Sequence, residues 1–387
     1  MTPLWVASML YLPQKLYGKY NMEVSMLTRF EVEGFRNFSH RFTFNLTDVR
    51  DYRFNTSAID EGIVSCGLIY GKNAVGKTNF SNALLDISAN VGRRTFYSNK
   101  TNYLSAVDGV TSACFAYTFR FGNDEVAYRY EKTGITDYLR ETVVVNGKIA
   151  FDYDHRAGKV LDGDLASIGA DRLNWEFKSP GISVLAYVCN NIPFERAMPL
   201  FKLYTFARSM DAIGDAHMND RNLVSTIAEN VISNGLVSEL QAFLNDFGIQ
   251  ERLTARETPS GDIALYFEKS RLIPFVENCS SGTVALLRLF NYFHATSVPS
   301  LLFVDEFDAF YHHDLAEKVV DYFKSQTGRQ VLCASHNTDL FSNKILRPDC
   351  LFILSDHNII SAANATDREL REGHNLEKLY KAGEFDV

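Results

Sequence analysis

Gly71-Lys72-Asn73-Ala74-Val75-Gly76-Lys77-Thr78 stands directly behind the apolar run 63–70 and ahead of a helix-like segment, 79–87. The stretch matches G-x-x-x-x-G-K-[ST], and strand before, helix after is the setting in which that pattern cradles a polyphosphate. The glycines let the backbone wrap closely enough for successive N–H groups to face phosphate oxygens. Lys77 can then reach the β- and γ-phosphates, and the Thr78 hydroxyl can hold Mg²⁺. The chemistry expected here starts from a nucleoside triphosphate, and Lys72 inside the loop reads as a solvated side chain.

Composition narrows the class. The 387 residues suffice for one large domain or two of ordinary size. With 46% hydrophobic and 22% charged residues, the chain has the balance of a soluble globular protein, not a disordered or fibrous one. A net charge of −8 supplies no global positive field toward DNA or an anionic membrane, so any nucleic-acid contact must be local. Six scattered cysteines form no C-x-x-C pair and read as free thiols in a reducing compartment. Residues 1–25 show neither a secretory signal nor a bilayer-length run, and they read as an extension ahead of a fold that begins near Met26. A cytoplasmic protein without membrane contact is the expectation.

Residues 26–38 alternate like a half-buried strand running into a turn. Further on, 114–121, 125–131, 139–145 and 148–153 are short runs of aromatic and β-branched residues. Gly122-Asn123-Asp124 and Asn146-Gly147 separate two of the pairs, which predicts an antiparallel meander. Helical spacing takes over from 193 to 247, and a hairpin at 253–257 and 263–268 follows. The expected organisation is an extension (1–25), an N-terminal half with loop and meander (26–155), a mainly helical insertion with its returning hairpin (156–274) and a C-terminal half (275–387). A helix is also expected at 366–380.

Ser300-Leu301-Leu302-Phe303-Val304-Asp305-Glu306-Phe307-Asp308 is an apolar strand ending in acids, at the strand end where open α/β sheets place ligands. Alone it is also an ordinary strand before a charged turn. Behind a phosphate loop, Asp305 suits Mg²⁺ and Glu306 suits activation of the attacking water. A second apolar strand, 330–334, ends in Ser335-His336-Asn337, which puts His336 within reach of a γ-phosphate. His312 and His313 fit a helix start as readily as nucleotide sensing. Between loop and acidic strand, Cys279-Ser280-Ser281-Gly282-Thr283 precedes the helix-like 284–293, and such a start is either an anion site or a plain N-cap.

In that order the elements resemble the ABC-type ATPases, over roughly 26–90 and 275–387. Three features resemble the ABC-like AAA ATPases of bacterial anti-phage defence more closely: the Phe30-Glu31-Val32-Glu33-Gly34-Phe35-Arg36-Asn37-Phe38 opening, Ser-Ser-Gly-Thr in place of Leu-Ser-Gly-Gly-Gln, and the ending 376–385. Those relatives are the OLD-related proteins and the PARIS, Septu and retron-associated ATPase subunits. The resemblance implies an α/β, ABC-ATPase-like P-loop fold with a mixed sheet, an antiparallel meander and a helical insertion. It implies ATP and Mg²⁺ as ligands, with Gly71, Asn73, Ala74, Val75, Gly76, Lys77, Thr78 and Asn79 on the nucleotide. Thr78 and Asp305 would hold the metal, Glu306 would be the base and His336 the switch histidine. Ser280, Ser281 and Gly282 would meet the γ-phosphate bound by another copy, in a homodimer or higher homo-oligomer. No glutamine stands where the family's glutamine loop would follow the first helix. The chain ends too soon after His336 for a nuclease domain, so a toxin or nuclease effector is expected in a partner protein encoded alongside. The alternative is a DNA-handling ATPase of the SMC or RecF kind, for which Arg93, Arg94 and Lys100 would form a small basic patch; DNA is allowed but not required by the leading reading. A transporter motor subunit fits least.

Overall fold

The computed structural model describes residues 24–92, 102–176, 181–192, 199–214, 221–294, 298–309, 311–356 and 358–385. Most of the expected extension, and Arg93, Arg94 and Lys100, therefore lie outside the described residues.

Two principal sheets form among the described residues. The first is antiparallel, in the order Lys159–Asp162, Lys148–Asp154, Tyr138–Val145, Asp124–Lys132, Ala113–Phe121, Ser25–Glu33, Phe42–Asn45. Its strands read as alternating because one face is buried: Phe115, Tyr117, Phe119 and Phe121 all point inward from a single strand. The Asn146-Gly147 turn has both residues at positive φ, 50° and 77°, the backbone that a two-residue hairpin turn demands.

The second sheet runs Asp211–Ile213, Leu301–Val304, Gln330–Ser335, Cys66–Tyr70, Leu351–Leu354, Ile359–Ser361, and only its last pairing is antiparallel. Its four central strands are buried throughout, which is why they read as unbroken apolar runs. The helix Lys77–Leu84 lies between the two sheets. Its Phe80 ring meets Phe30 and Phe44 of the first sheet and Phe303 of the second, at centroid separations of 5.8, 5.3 and 6.3 Å. Gln330 ties the sheets directly: its buried amide accepts from Leu27 N (2.7 Å) and donates to Leu27 O (2.8 Å) and Val64 O (3.1 Å), where the first sheet slips register between Leu27 and Arg29.

The segment expected to be helical holds Val184–Asn191, Pro199–Ser209, Arg221–Ser233 and Val237–Asp246. It also contributes the edge strand Asp211–Ile213, parallel to the acidic strand, which three residues of sequence could not announce. The hairpin forms at Leu253–Glu257 and Ile263–Glu268, and Leu272–Pro274 extends it into a separate small sheet. The helix expected at 366–380 shrinks to Leu376–Lys381. Asn343 Nδ2 takes the carbonyls of Arg371, Glu372 and His374, and Asn375 caps the later start by accepting from Lys378 N at 2.8 Å. The six cysteines are free, and burial pushes the Cys66 thiol up to about 12. Among the described residues no helix is long and apolar enough to cross a membrane.

Candidate functional site

Strand order builds the site. In the parallel sheet the histidine strand Gln330–Ser335 lies between the acidic strand Leu301–Val304 and the loop strand Cys66–Tyr70, so three carboxyl ends emerge on one edge. Gly71 is anchored there by its N–H to Ser335 O (3.2 Å). Lys72, Asn73 and Ala74 form an exposed crest, with Ala74 at φ 65°, a strained setting for a residue with a side chain. Gly76, at φ 102°, ends the loop and starts the helix. No side chain caps this helix, and its first intrahelical bond is Phe80 N to Gly76 O (2.8 Å), so the N–H groups of Lys77, Thr78 and Asn79 have no acceptor one turn back. An oxyanion at that end meets free donors and the positive pole of the helix.

Lys77 curls back over the loop, its Nζ donating to Gly71 O (2.7 Å) and Lys72 O (3.0 Å). Burial lowers its pKa, and the carboxylates of Asp305, Asp308 and Glu306 work in the opposite direction. Thr78 Oγ1 donates to Asp305 Oδ2 at 2.7 Å, joining two motifs 227 residues apart. Asp305 Oδ1 accepts from Glu306 N at 3.1 Å. Burial raises the pKa of Asp305, against the opposing effect of the Thr78 and Glu306 bonds and of Lys77. A hydroxyl and a carboxylate in contact beside free phosphate donors are the hard oxygen set that Mg²⁺ takes together with phosphate and water, so the residues fit the metal. Glu306 is exposed and sits at φ 52°, in the left-handed region.

Other candidate residues make contacts of their own. Asn79, expected on the nucleotide, has its side chain engaged elsewhere: Nδ2 donates to Asn37 Oδ1 (2.7 Å) and Oδ1 accepts from Arg36 NH1 (2.8 Å). Only its backbone N–H faces the free helix end. Asn37 in turn donates to Val75 O (3.3 Å), and its amide fills the space where a Cβ at Gly76 would stand. Arg36 and Asn37 thus brace the end of the loop and the first helical turn from the turn after the opening strand, a role that no local pattern marks.

His336, about half exposed, reaches Asp308 Oδ2 through Nδ1 at 3.0 Å, and its backbone N–H donates to Asp308 Oδ1 at 3.3 Å. Asp308 went unassigned in the sequence, although a third acid just past Asp305 and Glu306 was the signal. His312 and His313 serve a helix start. His312 is the N-cap of His313–Lys324, and His313 pairs with Glu317 one turn on at 3.4 Å. At the head of Ser281–His294, Ser280 Oγ accepts from Thr283 N (3.1 Å) and shares a 2.8 Å bond with Thr283 Oγ1. Ser280 and Ser281 are exposed, and among the described residues no hydrogen bond carries Ser280, Ser281 or Gly282 to the loop.

One protein family, described as "AAA domain, putative AbiEii toxin, Type IV TA system", matches residues 194–342, a span that holds the serine-glycine helix, the acidic strand and His336 but begins after the loop. No curated protein matches the chain. Similar solved structures include the Smc head bound to the C-winged helix domain of ScpA, 14% identical over 87% of this chain and 97% of that one, with a TM-score of 0.47. The SMC head domain from Thermotoga maritima is 15% identical over 87% and 98%, with a TM-score of 0.44. The recombination mediator RecF with ATP is 14% identical over 87% and 99%, with a TM-score of 0.39. The parallel sheet order, the loop and the Thr78–Asp305 contact make this an α/β fold with a P-loop site. The family match over 194–342 is to an AAA domain.

Proposed function

We propose that the chain binds ATP with Mg²⁺ and hydrolyses it between two copies of itself, as the regulatory subunit of a bacterial anti-phage system that holds or releases a toxin or nuclease partner. The ATPase part rests above all on the 2.7 Å contact between Thr78 and Asp305, because it unites the phosphate loop with the acidic strand. The backbone N–H groups of the loop and of the first helical turn hold the phosphates. Lys77 exchanges its two loop carbonyls for β- and γ-phosphate oxygens. Thr78 and Asp305 would hold Mg²⁺, which would neutralise the negative charge that develops on the phosphate oxygens. Glu306 orients a water and takes its proton as the water oxygen bonds to the γ-phosphorus. The bond to the bridging oxygen breaks, ADP and phosphate leave, and Glu306 returns the proton to solvent. Ser280, Ser281 and Gly282 of a second copy complete the γ-phosphate site, with the segments 26–155 and 275–387 acting together as the ATPase and 156–274 as its insertion.

The matched family's description names a putative toxin and a type IV toxin–antitoxin system, the kind of setting in which the regulatory reading places this chain. Co-purification of the tagged chain from its native operon tests it, alongside ATPase assays with and without duplex DNA. A small toxin or nuclease retained in ATP and lost on hydrolysis is the expected result. Hydrolysis strongly stimulated by duplex DNA, with no such partner, would favour a DNA-handling ATPase of the SMC or RecF kind. Toxicity of the chain alone would contradict the assignment of the effector to a partner.

A further inference from the structure

We propose that Asp308 is the positioning residue for His336, fixing which ring nitrogen carries the proton and which is left to meet the γ-phosphate; the inference rests on the ATPase reading above. Asp308 sits on the short turn Phe307–Ala309 just past the acidic strand, and strand order puts that turn beside the tip of the histidine strand. The carboxylate is gripped at both oxygens: Oδ1 accepts from the backbone N–H of His336 at 3.3 Å, and Oδ2 lies 3.0 Å from its Nδ1. A carboxylate only accepts, so Nδ1 must be the protonated nitrogen. Nε2, with no hydrogen bond to any described residue, is the atom left to reach outward.

The exposures agree with this division of labour. The Asp308 side chain is 8% exposed while that of His336 is 48% exposed, so the anchor is buried and the ring it holds is open. When the γ-phosphate approaches, Nε2 is the ring atom that meets it while Nδ1–H stays on Asp308. The contact with the His336 backbone fixes where the ring starts, and the contact with Nδ1 fixes its rotation and tautomer, as oriented imidazoles require. Asp308 itself touches no substrate atom.

Asp308→Asn separates these roles. Asparagine keeps an acceptor for the His336 backbone N–H, but it offers Nδ1 an N–H donor and so reverses the tautomer. The test uses the full chain labelled with ¹⁵N-histidine; His336→Ala identifies the His336 signals among nine histidines. The neutral ring should be protonated on Nδ1 in the wild type and on Nε2 in Asp308→Asn. Steady-state hydrolysis should fall about 10- to 100-fold in kcat for Asp308→Asn, with KM for ATP within about twofold, as expected for loss of a charge-assisted contact made in the transition state. In a His336→Ala background the same substitution should cause no further loss. A wild-type ring protonated on Nε2, an unchanged kcat, or an equal loss in the His336→Ala background would overturn the inference. A wild type that hydrolyses no ATP would overturn the ATPase reading instead, and the ¹⁵N spectra would still decide whether Asp308 sets the His336 tautomer.

Discussion

At the scale of single residues, the site depends on backbone that few side chains tolerate. Gly76 combines φ 102° with the Asn37 amide pressed against the place a Cβ would take. Gly76→Ala should therefore cost about 1–3 kcal/mol of stability and abolish binding of a fluorescent ATP analogue. Thermal melting together with a titration checks both, and an alanine variant that binds normally would remove the close-approach argument. Lys77, Thr78, Asp305 and Glu306 were legible in the sequence because each lies inside a short pattern whose chemistry is local. Asp308 and Asn37 were not, since their partners lie 28 and 38 residues away and only the sheet order brings them together. Asn79 shows the converse: it lies within the pattern, yet tertiary contacts engage its side chain.

At the scale of elements, the helix that opens the middle segment is held by the meander. Glu141 is fully buried and accepts from Tyr128 OH (2.7 Å), Ser183 Oγ (2.9 Å) and Val184 N (2.6 Å), with His155 Nε2 at 2.8 Å. Burial alone would raise its pKa, but the His155 contact and these bonds together hold it below the ordinary 4.5. A depressed carboxylate contributes stability that is present above its unfolded value and lost as pH falls through the folded one. The wild type should thus lose stability below about pH 4.5, whereas Glu141→Gln should start less stable and show a flatter slope over that range. Urea midpoints across pH 3–7 measure this, and parallel slopes would contradict it. The meander was readable because alternation and an Asn-Gly turn are strong local signals. The Asp211–Ile213 strand and the shortened Leu376–Lys381 helix were not, being set by a neighbouring strand and by the Asn343 amide.

At the scale of the whole molecule, two sheets close on one helix and the phosphate loop sits at its open end. Gln330 ties them by hydrogen bonds, beside the Phe44–Phe352 ring contact at 4.7 Å. Gln330→Leu strands the Leu27 N–H and the Leu27 and Val64 carbonyls in the interior, and it should cost about 2–5 kcal/mol in equilibrium unfolding; a loss under 1 kcal/mol would mean that the sheets hold together without it. The sequence order of loop, acids and histidine was legible, but their spatial order, with the histidine strand in the middle, was not. Chain order leaves strand pairing open whenever crossovers intervene.

Half of an ATP site per chain is the central claim, and sedimentation of Glu306→Gln with Mg²⁺ and ATP tests it most directly. Removing the base should trap the bound state, so the variant is predicted to sediment as a dimer that dissociates with EDTA, while Lys77→Ala stays monomeric under the same conditions. A Glu306→Gln protein that binds ATP yet remains a monomer, or that hydrolyses ATP at the wild-type rate, would contradict the account.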